Sequence, residues 1–128
     1  PTPDGTCVRD FVHVLDVAEA HLAALDALVD AGPELEPHRA LNIGTGSGAS
    51  VAEVVEGLRR RTGGGPEPVI RPRRAGDPAA VVADVAQVTE SLGWSASRDL
   101  DAILDSAVDA WRVPVRDSRR PHVPWTCD

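Results

Sequence analysis

Residues 41–58 have the sequence LNIGTGSGASVAEVVEGL, which predicts a short strand, a glycine-rich turn and a helix in immediate succession. The apolar run at 40–43 suits the strand, and the glycines at positions 44, 46 and 48 suit the turn. Ser50 and Glu53 have the spacing of a capping box, so we expect the helix to begin just after Ser50. A strand that leads directly into a helix is typical of an α/β fold.

The same alternation extends toward the N-terminus. Residues 8–14, VRDFVHV, alternate polar and apolar side chains and predict a half-buried strand. Asp16 is expected to cap the following helix, with Glu19 completing a second capping box, and residues 30–33 (DAGP) are expected to end it. The side chains expected on the buried face of this helix are Val17, Leu22, Leu25 and Leu28 or Val29.

Toward the C-terminus, residues 67–71 and 79–83 predict two further extended segments. Asp84 and Asp99 are each expected to cap a helix, and Gly93 to end the first of the two. The side chains expected to face the core are Val85, Val88, Leu92, Trp94, Leu100, Ile103, Leu104, Ala107 and Trp111. The prediction is one α/β domain over residues 1–112, with short strands alternating with about four helices, followed by a loosely ordered tail at 113–128.

Composition excludes several classes of function. The 128 residues carry a net charge of −7, which argues against nucleic acid as the main partner, and no apolar run approaches the ~20 residues of a membrane span. Two cysteines, Cys7 and Cys127, are too few for a disulfide framework, so we expect a cytoplasmic protein. The histidines, at positions 13, 21, 38 and 122, lack the spacing of a metal site, and no metal is expected.

Missing residue types exclude some chemistry as well. The sequence has no Tyr and no Met, and all 13 of its basic residues are Arg. A reaction that depends on a phenol or a lysine amine therefore cannot be carried out by these residues alone. We expect this sequence to be a piece of a longer chain.

The glycine turn permits two interpretations. Residues 44–49 match the relaxed dinucleotide-binding fingerprint G-x-G-x-x-A. However, the capping box starts the helix beyond the glycines, and Arg71 rather than an acidic residue follows the next predicted strand. These details favour a plain strand-to-helix turn over a cofactor site.

A cluster of arginines occupies the loop at 71–78, RPRRAGDP. Three guanidinium groups within four positions are either a solvated surface or a site for an anion that relieves their mutual repulsion. Asp77, three residues after Arg74, could accept hydrogen bonds from the hydroxyl groups of a ligand. Both interpretations, surface loop and anion site, are open on these grounds.

Four segments together carry a family resemblance. They are PTPDGTCVRDFVHVLDVAEAHLAAL (1–25), LNIGTGSGASVAEVV (41–55), RPRRAGDPAAVVAD (71–84) and ESLGW (90–94). In this order and spacing they resemble the C-terminal, substrate-binding portion of the UDP-glucose 4-epimerase family, which belongs to the extended short-chain dehydrogenase/reductase enzymes. Phe11 and Cys7 depart from the residues that are usual in that family.

The resemblance implies a set of ligand contacts. Arg9 matches the arginine of the family's VRD motif, and Arg74 the second arginine of its PRR-x-GD motif, both of which approach the diphosphate of a UDP-sugar. Asp77 matches the aspartate of the second motif, which bonds the uridine ribose. We expect these three residues to bind substrate, and we expect no catalytic or cofactor-binding residue in this chain.

The resemblance also implies partners and a reaction. An N-terminal Rossmann half, expected to be absent from these residues, would carry the NAD fingerprint and a Tyr-x-x-x-Lys catalytic pair, and the whole enzyme would be a homodimer. The implied reaction interconverts UDP-glucose and UDP-galactose, with hydride passing to NAD and back. Alternatives are part of another nucleotide-sugar epimerase or dehydratase, or a non-catalytic anion- or protein-binding remnant.

Overall fold

A computed structural model describes residues 2–31, 39–72 and 74–112. Within these ranges, three two-residue strands and four helices are formed. In chain order they are β1 (Val8–Arg9), α1 (Val14–Ala31), β2 (Ala49–Ser50), α2 (Val51–Thr62), β3 (Ala80–Val81), α3 (Ala86–Leu92) and α4 (Leu100–Arg112). The predicted α/β class with about four helices is confirmed, while the tail predicted at 113–128 lies outside the described residues.

The sheet has the strand order β2-β1-β3. β1 runs antiparallel to β2, with Val8 opposite Ser50, and parallel to β3, with Val8 opposite Ala80. This central strand is much shorter than the predicted strand at 8–14, because both of its neighbours offer only two residues for pairing. After the sheet, the backbone N–H of Asp10 still donates to the carbonyl of Val81, and α1 begins four residues later.

Two other predicted strands are absent from the described residues. Residues 40–43 are not paired, although Leu41 and Ile43 pack against the core with their side chains. Residues 67–71 are also unpaired, and Val69 and Ile70 are exposed. An apolar run forms a strand only where another strand presents its backbone groups, and none does so at either place.

Several helix ends agree with the local sequence signals. Ser50 and Glu53 form the expected capping box at the start of α2, and Gly63 ends that helix in the left-handed conformation. Gly93 ends α3 in the same way, with φ of 60°. Asp99 caps α4 by accepting a hydrogen bond from the backbone N–H of Ala102. The side chain of Asp84 accepts from Ala86, the first residue of α3, although the residue in the N-cap position is Val85.

The start of α1 differs from the prediction, because His13 and not Asp16 caps it. The His13 carbonyl accepts the N–H of Val17, and its Nδ1 accepts the N–H of Leu15. Since Nδ1 is an acceptor, the neutral ring carries its proton on Nε2, which donates to Ser106 Oγ at 2.9 Å. A buried imidazole therefore joins the first turn of α1 to α4.

The core has two parts. Ala20 of α1, Val88 of α3 and Trp94 form one buried cluster, against which Leu41 and Ile43 pack. Leu104 and Val108 of α4 form the other, where α4 packs on α2 at Gly57. A Cβ at Gly57 would clash with Leu104 Cδ1, so glycine permits the close approach of these helices. Trp111, predicted to face inward, is 90% exposed at the end of α4, and Ala107 is also exposed.

The predicted buried face of α1 is mostly exposed. The side chains that pack inward are Asp16 and Ala20, with Ala23 beside them, whereas Leu22, Leu25, Leu28 and Val29 are all more than half exposed. Leu15, Ala18, Leu22, Leu25 and Val29 follow one another at intervals of three and four residues. This set, the outer stripe of α1, therefore lies along one side of the helix, away from the core.

The length and hydropathy of the helices also bear on membrane insertion. Within the three described ranges, no helix is both long enough and apolar enough to cross a membrane.

Candidate functional site

Arg9 and Asp77, two of the three predicted site residues, form an ion pair. Arg9 Nη2 donates to Asp77 Oδ1 at 2.5 Å, and the two side chains are 30% and 36% exposed. Arg9 Nη1 also donates to two backbone carbonyls, those of Val8 at 2.7 Å and Pro78 at 3.1 Å. The parallel pairing of β1 with β3 brings together residues that are 68 positions apart.

Cys7 joins this pair from the residue before β1. Its Sγ donates to Asp77 Oδ2 at 3.3 Å, so each carboxylate oxygen of Asp77 accepts one hydrogen bond from the N-terminal segment. Cys7 is a free, partly buried thiol. Sequence reasoning missed this contact, because nothing near Cys7 in the sequence points to a carboxylate 70 residues away. We refer to Cys7, Arg9 and Asp77 together as the Arg9–Asp77 cluster.

Arg74, the third predicted site residue, is connected to the cluster through the backbone. The N–H of Asp77 donates to the carbonyl of Arg74 at 3.2 Å, which closes a turn containing Gly76 at φ of 82°. The Arg74 side chain is exposed, as is that of Arg71, while Arg73 lies outside the described residues. Arg9 does not pair with the adjacent Asp10 within the described residues, because the Asp10 carboxylate serves a different structure.

Asp10 organises the glycine turn. Its carboxylate accepts hydrogen bonds from the backbone N–H groups of Thr45, Gly46 and Ala83 and from the hydroxyl of Thr45. Burial alone would raise the pKa of Asp10, but these hydrogen bonds outweigh it and hold the pKa below its ordinary value. The turn therefore presents its amide groups to an internal carboxylate.

The start of α2 is also closed to an anion. Its first three N–H groups donate to the Cys7 carbonyl, the Thr6 hydroxyl and the Ser50 hydroxyl. A dinucleotide site at this position needs free amides at the turn and helix start to hold a pyrophosphate. The described residues therefore do not fit NAD at this turn.

A fully buried carboxylate, that of Asp16, is paired with Arg98. The Arg98 guanidinium donates to Asp16 and, at 2.8 Å, to Glu19, while Ser97 Oγ and the Arg98 N–H also donate to Asp16. Burial acts to raise the pKa of Asp16, but the hydrogen bonds from Arg98 and Ser97 lower it on balance. Arg98 therefore holds one fully buried carboxylate, Asp16, and one half-exposed carboxylate, Glu19.

Two clefts on the surface lie away from the Arg9–Asp77 cluster. One, of about 550 Å³ between α2 and α4, is lined by Asp4, Glu53, Glu56, Arg60, Asp99 and Asp101 among others. Five carboxylates against one guanidinium make it unsuitable for an anionic ligand. The other, of about 300 Å³, extends from Phe11 and the glycine turn to Arg98.

A metal centre needs several ligating side chains held close together. No group of three or more His, Cys, Asp or Glu side chains within them is placed to hold a metal ion. His38, His122 and Cys127 lie outside the described residues.

Comparison with known proteins identifies relatives over most of the chain. Residues 2–44 match the model of the NAD dependent epimerase/dehydratase family. The UDP-glucose 4-epimerase of Corynebacterium glutamicum is 45% identical over 95% of this chain, which corresponds to 35% of that protein. The enzyme of the same name from Streptomyces lividans is 50% identical over 87% of this chain and 31% of its own length.

Solved structures give the same result. The UDP-glucose 4-epimerase of Brucella ovis in complex with NAD has a TM-score of 0.76 and 45% identity, over 86% of this chain and 33% of that one. The Bifidobacterium longum enzyme in complex with NAD+ and UDP has a TM-score of 0.74 and 39% identity, over 84% of this chain and 31% of that one. The chain spans about a third of the length of these relatives, and over that third it is 39–50% identical to them in sequence and, for the two solved structures, similar in fold. The resemblance stated from the sequence is confirmed.

Proposed function

We propose that this chain is the UDP-sugar-binding part of an NAD-dependent UDP-glucose 4-epimerase, a cytoplasmic isomerase that interconverts UDP-glucose and UDP-galactose. The observation that supports the proposal most directly is the contact between Arg9 and Asp77 across 68 residues. It brings two of the three residues that the family resemblance assigns to substrate onto adjacent strands of one sheet. A nucleoside diphosphate needs both a cation and a hydroxyl acceptor, and this pair offers both within 2.5 Å.

Arg9 and Arg74 are the proposed diphosphate ligands. Three of the five N–H donors of Arg9 are engaged by Val8, Pro78 and Asp77, so two, on Nε and Nη2, make no hydrogen bond within the described residues. Fixed by these three contacts, the guanidinium loses little conformational freedom when phosphate oxygens bind. Arg74, exposed on the turn that leads to Asp77, supplies a second guanidinium group for the diphosphate.

Asp77 is the proposed ribose ligand. Within the described residues, each of its carboxylate oxygens accepts one hydrogen bond, which leaves lone pairs for ribose hydroxyl groups. Binding energy from the nucleotide then holds the substrate while the sugar itself reacts. This division suits a reaction in which the hexose must present both of its faces.

The catalytic groups are proposed to come from the rest of the enzyme. NAD, when bound, supplies the hydride chemistry, and the glycine turn of this chain does not fit it. The chain also has no Tyr and no Lys for proton transfer. We place the NAD site and the Tyr-x-x-x-Lys pair in an N-terminal half outside these residues, within an enzyme that forms a homodimer.

The outer stripe of α1 is the proposed contact with that half. α1 buries Ala20 on one side and exposes Leu22 and Leu25, each more than half, on another. A helix that is apolar on two sides is typical of a layer covered on both faces. The two-thirds of the relatives that this chain does not span would provide the second cover.

The alternatives raised from the sequence are less well supported. The relatives named above are UDP-glucose 4-epimerases, and not dehydratases or binding modules. They therefore favour the epimerase over either alternative.

Titration with UDP, followed by NMR of the backbone amides of the chain, tests the proposal. We expect UDP to change the amide chemical shifts most at residues 7–9 and 74–79. These changes should be smaller in the Arg74→Ala variant than in the wild type. Arg71→Ala, which removes an exposed arginine of the same loop, is the control and should leave the shifts unchanged. Shifts confined to the glycine turn, or no shifts at millimolar UDP, would refute the proposed site.

A further inference from the structure

The Arg9–Asp77 cluster is close to electrically neutral before any ligand binds. The guanidinium of Arg9 lies 2.5 Å from one carboxylate oxygen of Asp77, and the other oxygen accepts from the Cys7 thiol. A phosphate group bound to the remaining donors of Arg9 would place its oxygens within about 5 Å of Asp77 Oδ1. Like charges at that distance disfavour each other, so Asp77 opposes the anion that Arg9 attracts.

A nucleoside diphosphate differs from a bare anion in one relevant way. Its ribose hydroxyl groups can donate hydrogen bonds to the same carboxylate that repels its phosphates. Inorganic phosphate and pyrophosphate retain a P–OH group at neutral pH, but that donor is part of the charged group that Asp77 repels, and they have no donor that lies apart from their charge. The Asp77 carboxylate therefore strengthens the binding of a nucleoside diphosphate and weakens the binding of an inorganic phosphate.

We propose that Asp77 makes this site selective for nucleoside diphosphates over inorganic phosphates, and that Cys7 is the positioning residue that holds the Asp77 carboxylate in place for this. The inference rests on the proposed function, since it takes UDP as the ligand of the Arg9–Asp77 cluster. It goes beyond that function, because Asp77 also weakens the binding of inorganic phosphates and Cys7 positions the Asp77 carboxylate. Two anchors, Arg9 on Oδ1 and Cys7 on Oδ2, fix the plane of the carboxylate.

Cys7 is suited to this role by its weak hydrogen bond. A thiol donates to the carboxylate without a formal charge, so it orients Asp77 and leaves the negative charge in place. Loss of the thiol should disturb the ribose contact, which needs an oriented acceptor. It should have little effect on the repulsion of phosphate, which depends on charge and distance and not on the direction of a lone pair.

The test compares the dissociation constants of UDP and of inorganic pyrophosphate, each followed by NMR titration of the full chain without divalent cations at one ionic strength. Asp77→Asn keeps the side-chain size and removes the charge. It should strengthen pyrophosphate binding about tenfold and weaken UDP binding, so the preference for UDP falls. Asp105→Asn is the matched control, because it removes one negative charge from the exposed side of α4 and should leave the preference unchanged.

The Cys7 variants test the second part. Cys7→Ala should weaken UDP binding several-fold and leave pyrophosphate binding unchanged, while Cys7→Ser, which retains a donor, should restore most of the UDP affinity. Circular dichroism of each variant confirms that it is folded. If Cys7→Ala lowers the affinity for UDP and for pyrophosphate by the same factor, and Cys7→Ser does not restore the affinity for UDP, the positioning role of Cys7 is refuted.

The failure of this inference is distinguishable from the failure of the proposed function. If UDP binds at residues 7–9 and 74–79 but Asp77→Asn changes the dissociation constants of UDP and pyrophosphate by the same factor, the proposed function stands. The proposal that Asp77 provides selectivity is then refuted. If UDP does not bind there, both are refuted.

Discussion

Asp16, whose side chain is fully buried in the first turns of α1, is bound by the guanidinium of Arg98 from 82 positions farther along the chain. Arg98 in turn holds Glu19 on the next turn of the helix, and these two carboxylates raise the pKa of the guanidinium. A buried carboxylate is tolerated only when hydrogen bonds and an opposite charge compensate its lost hydration. The pair therefore fixes α1 against the segment that leads into α4.

Arg98→Ala should lower the free energy of unfolding by about 2–3 kcal/mol, because it leaves the buried Asp16 without its charged donor. Urea unfolding followed by circular dichroism measures the change. The control is Arg60→Ala, which removes an exposed ion pair within α2 and should cost less than about 0.5 kcal/mol. Equal losses in the two variants would contradict a structural role for the Asp16–Arg98 pair.

Asp10→Asn should destabilise the chain in a pH-dependent manner. The pKa of Asp10 is lowered in the folded state, so its contribution is fully present above the ordinary pKa of about 3.9 and is lost as pH falls through the lowered value. At pH 7 the variant should be less stable by about 1–3 kcal/mol, because an amide oxygen cannot replace a carboxylate that accepts four hydrogen bonds.

Below pH 4 the difference in the free energy of unfolding between Asp10→Asn and wild type should become smaller. Urea unfolding at pH 7, 5, 4 and 3 follows it. Asp26→Asn, which removes an exposed carboxylate of α1, is matched in charge and should cost less than about 0.5 kcal/mol. A gap for Asp10→Asn that stays constant over this range would show that its charge does not matter.

In the complete enzyme, Arg74→Ala should weaken UDP binding by about 1.5–3 kcal/mol, the range for charge-assisted hydrogen bonds. Arg74→Lys should recover only part of the loss, since an ammonium group lacks the planar fork of a guanidinium. Calorimetric titration with UDP gives both values. Arg71→Ala and Arg73→Ala test the loop as a whole, and a similar, negligible effect of all these substitutions would leave it a solvated surface.

The chain by itself should not interconvert UDP-galactose and UDP-glucose, even with added NAD. It contains neither Tyr nor Lys, and the backbone amides of its glycine turn are bonded to Asp10. The measurement is the conversion of UDP-galactose by the purified chain at saturating NAD. Turnover at a rate near that of a complete epimerase would contradict the proposal that the catalytic groups lie outside this chain.

The isolated chain should self-associate through the outer stripe of α1. Leu22→Glu combined with Leu25→Glu should lower the apparent mass in light scattering, because it removes exposed apolar surface. The same change should leave the free energy of unfolding nearly constant, since neither side chain is buried. Ala20→Glu, on the buried side of the same helix, is expected to destabilise the chain strongly. A monodisperse wild-type monomer with a stability above about 8 kcal/mol would contradict this prediction.

The features that the sequence predicts well are those set by neighbouring residues. The Ser50–Glu53 capping box, the left-handed Gly93 and the Asp99 cap each depend on groups within a few positions. Side-chain and backbone signals at that range do not change with the rest of the fold.

The features that the sequence does not predict depend on distant partners. The prediction that Asp16 caps α1 is wrong, because its pairing with Arg98 has no local signal in the sequence. The strand predicted at 8–14 is too long, because the length of β1 is set by its pairing with β2 and β3. Within the candidate site, the motifs identify Arg9 and Asp77, but only the fold shows that they contact each other and Cys7.

The central position of β1 has a consequence for the order of folding. Its two neighbours, β2 and β3, lie about 40 and 70 residues away in sequence, so the sheet can close only after long loops have been ordered. The helices, whose caps are largely local, can form on a much faster timescale. The Arg9–Asp77 contact depends on β1 lying beside β3, so it should be among the last to form. Affinity for a nucleotide would then appear only in molecules whose folding is complete.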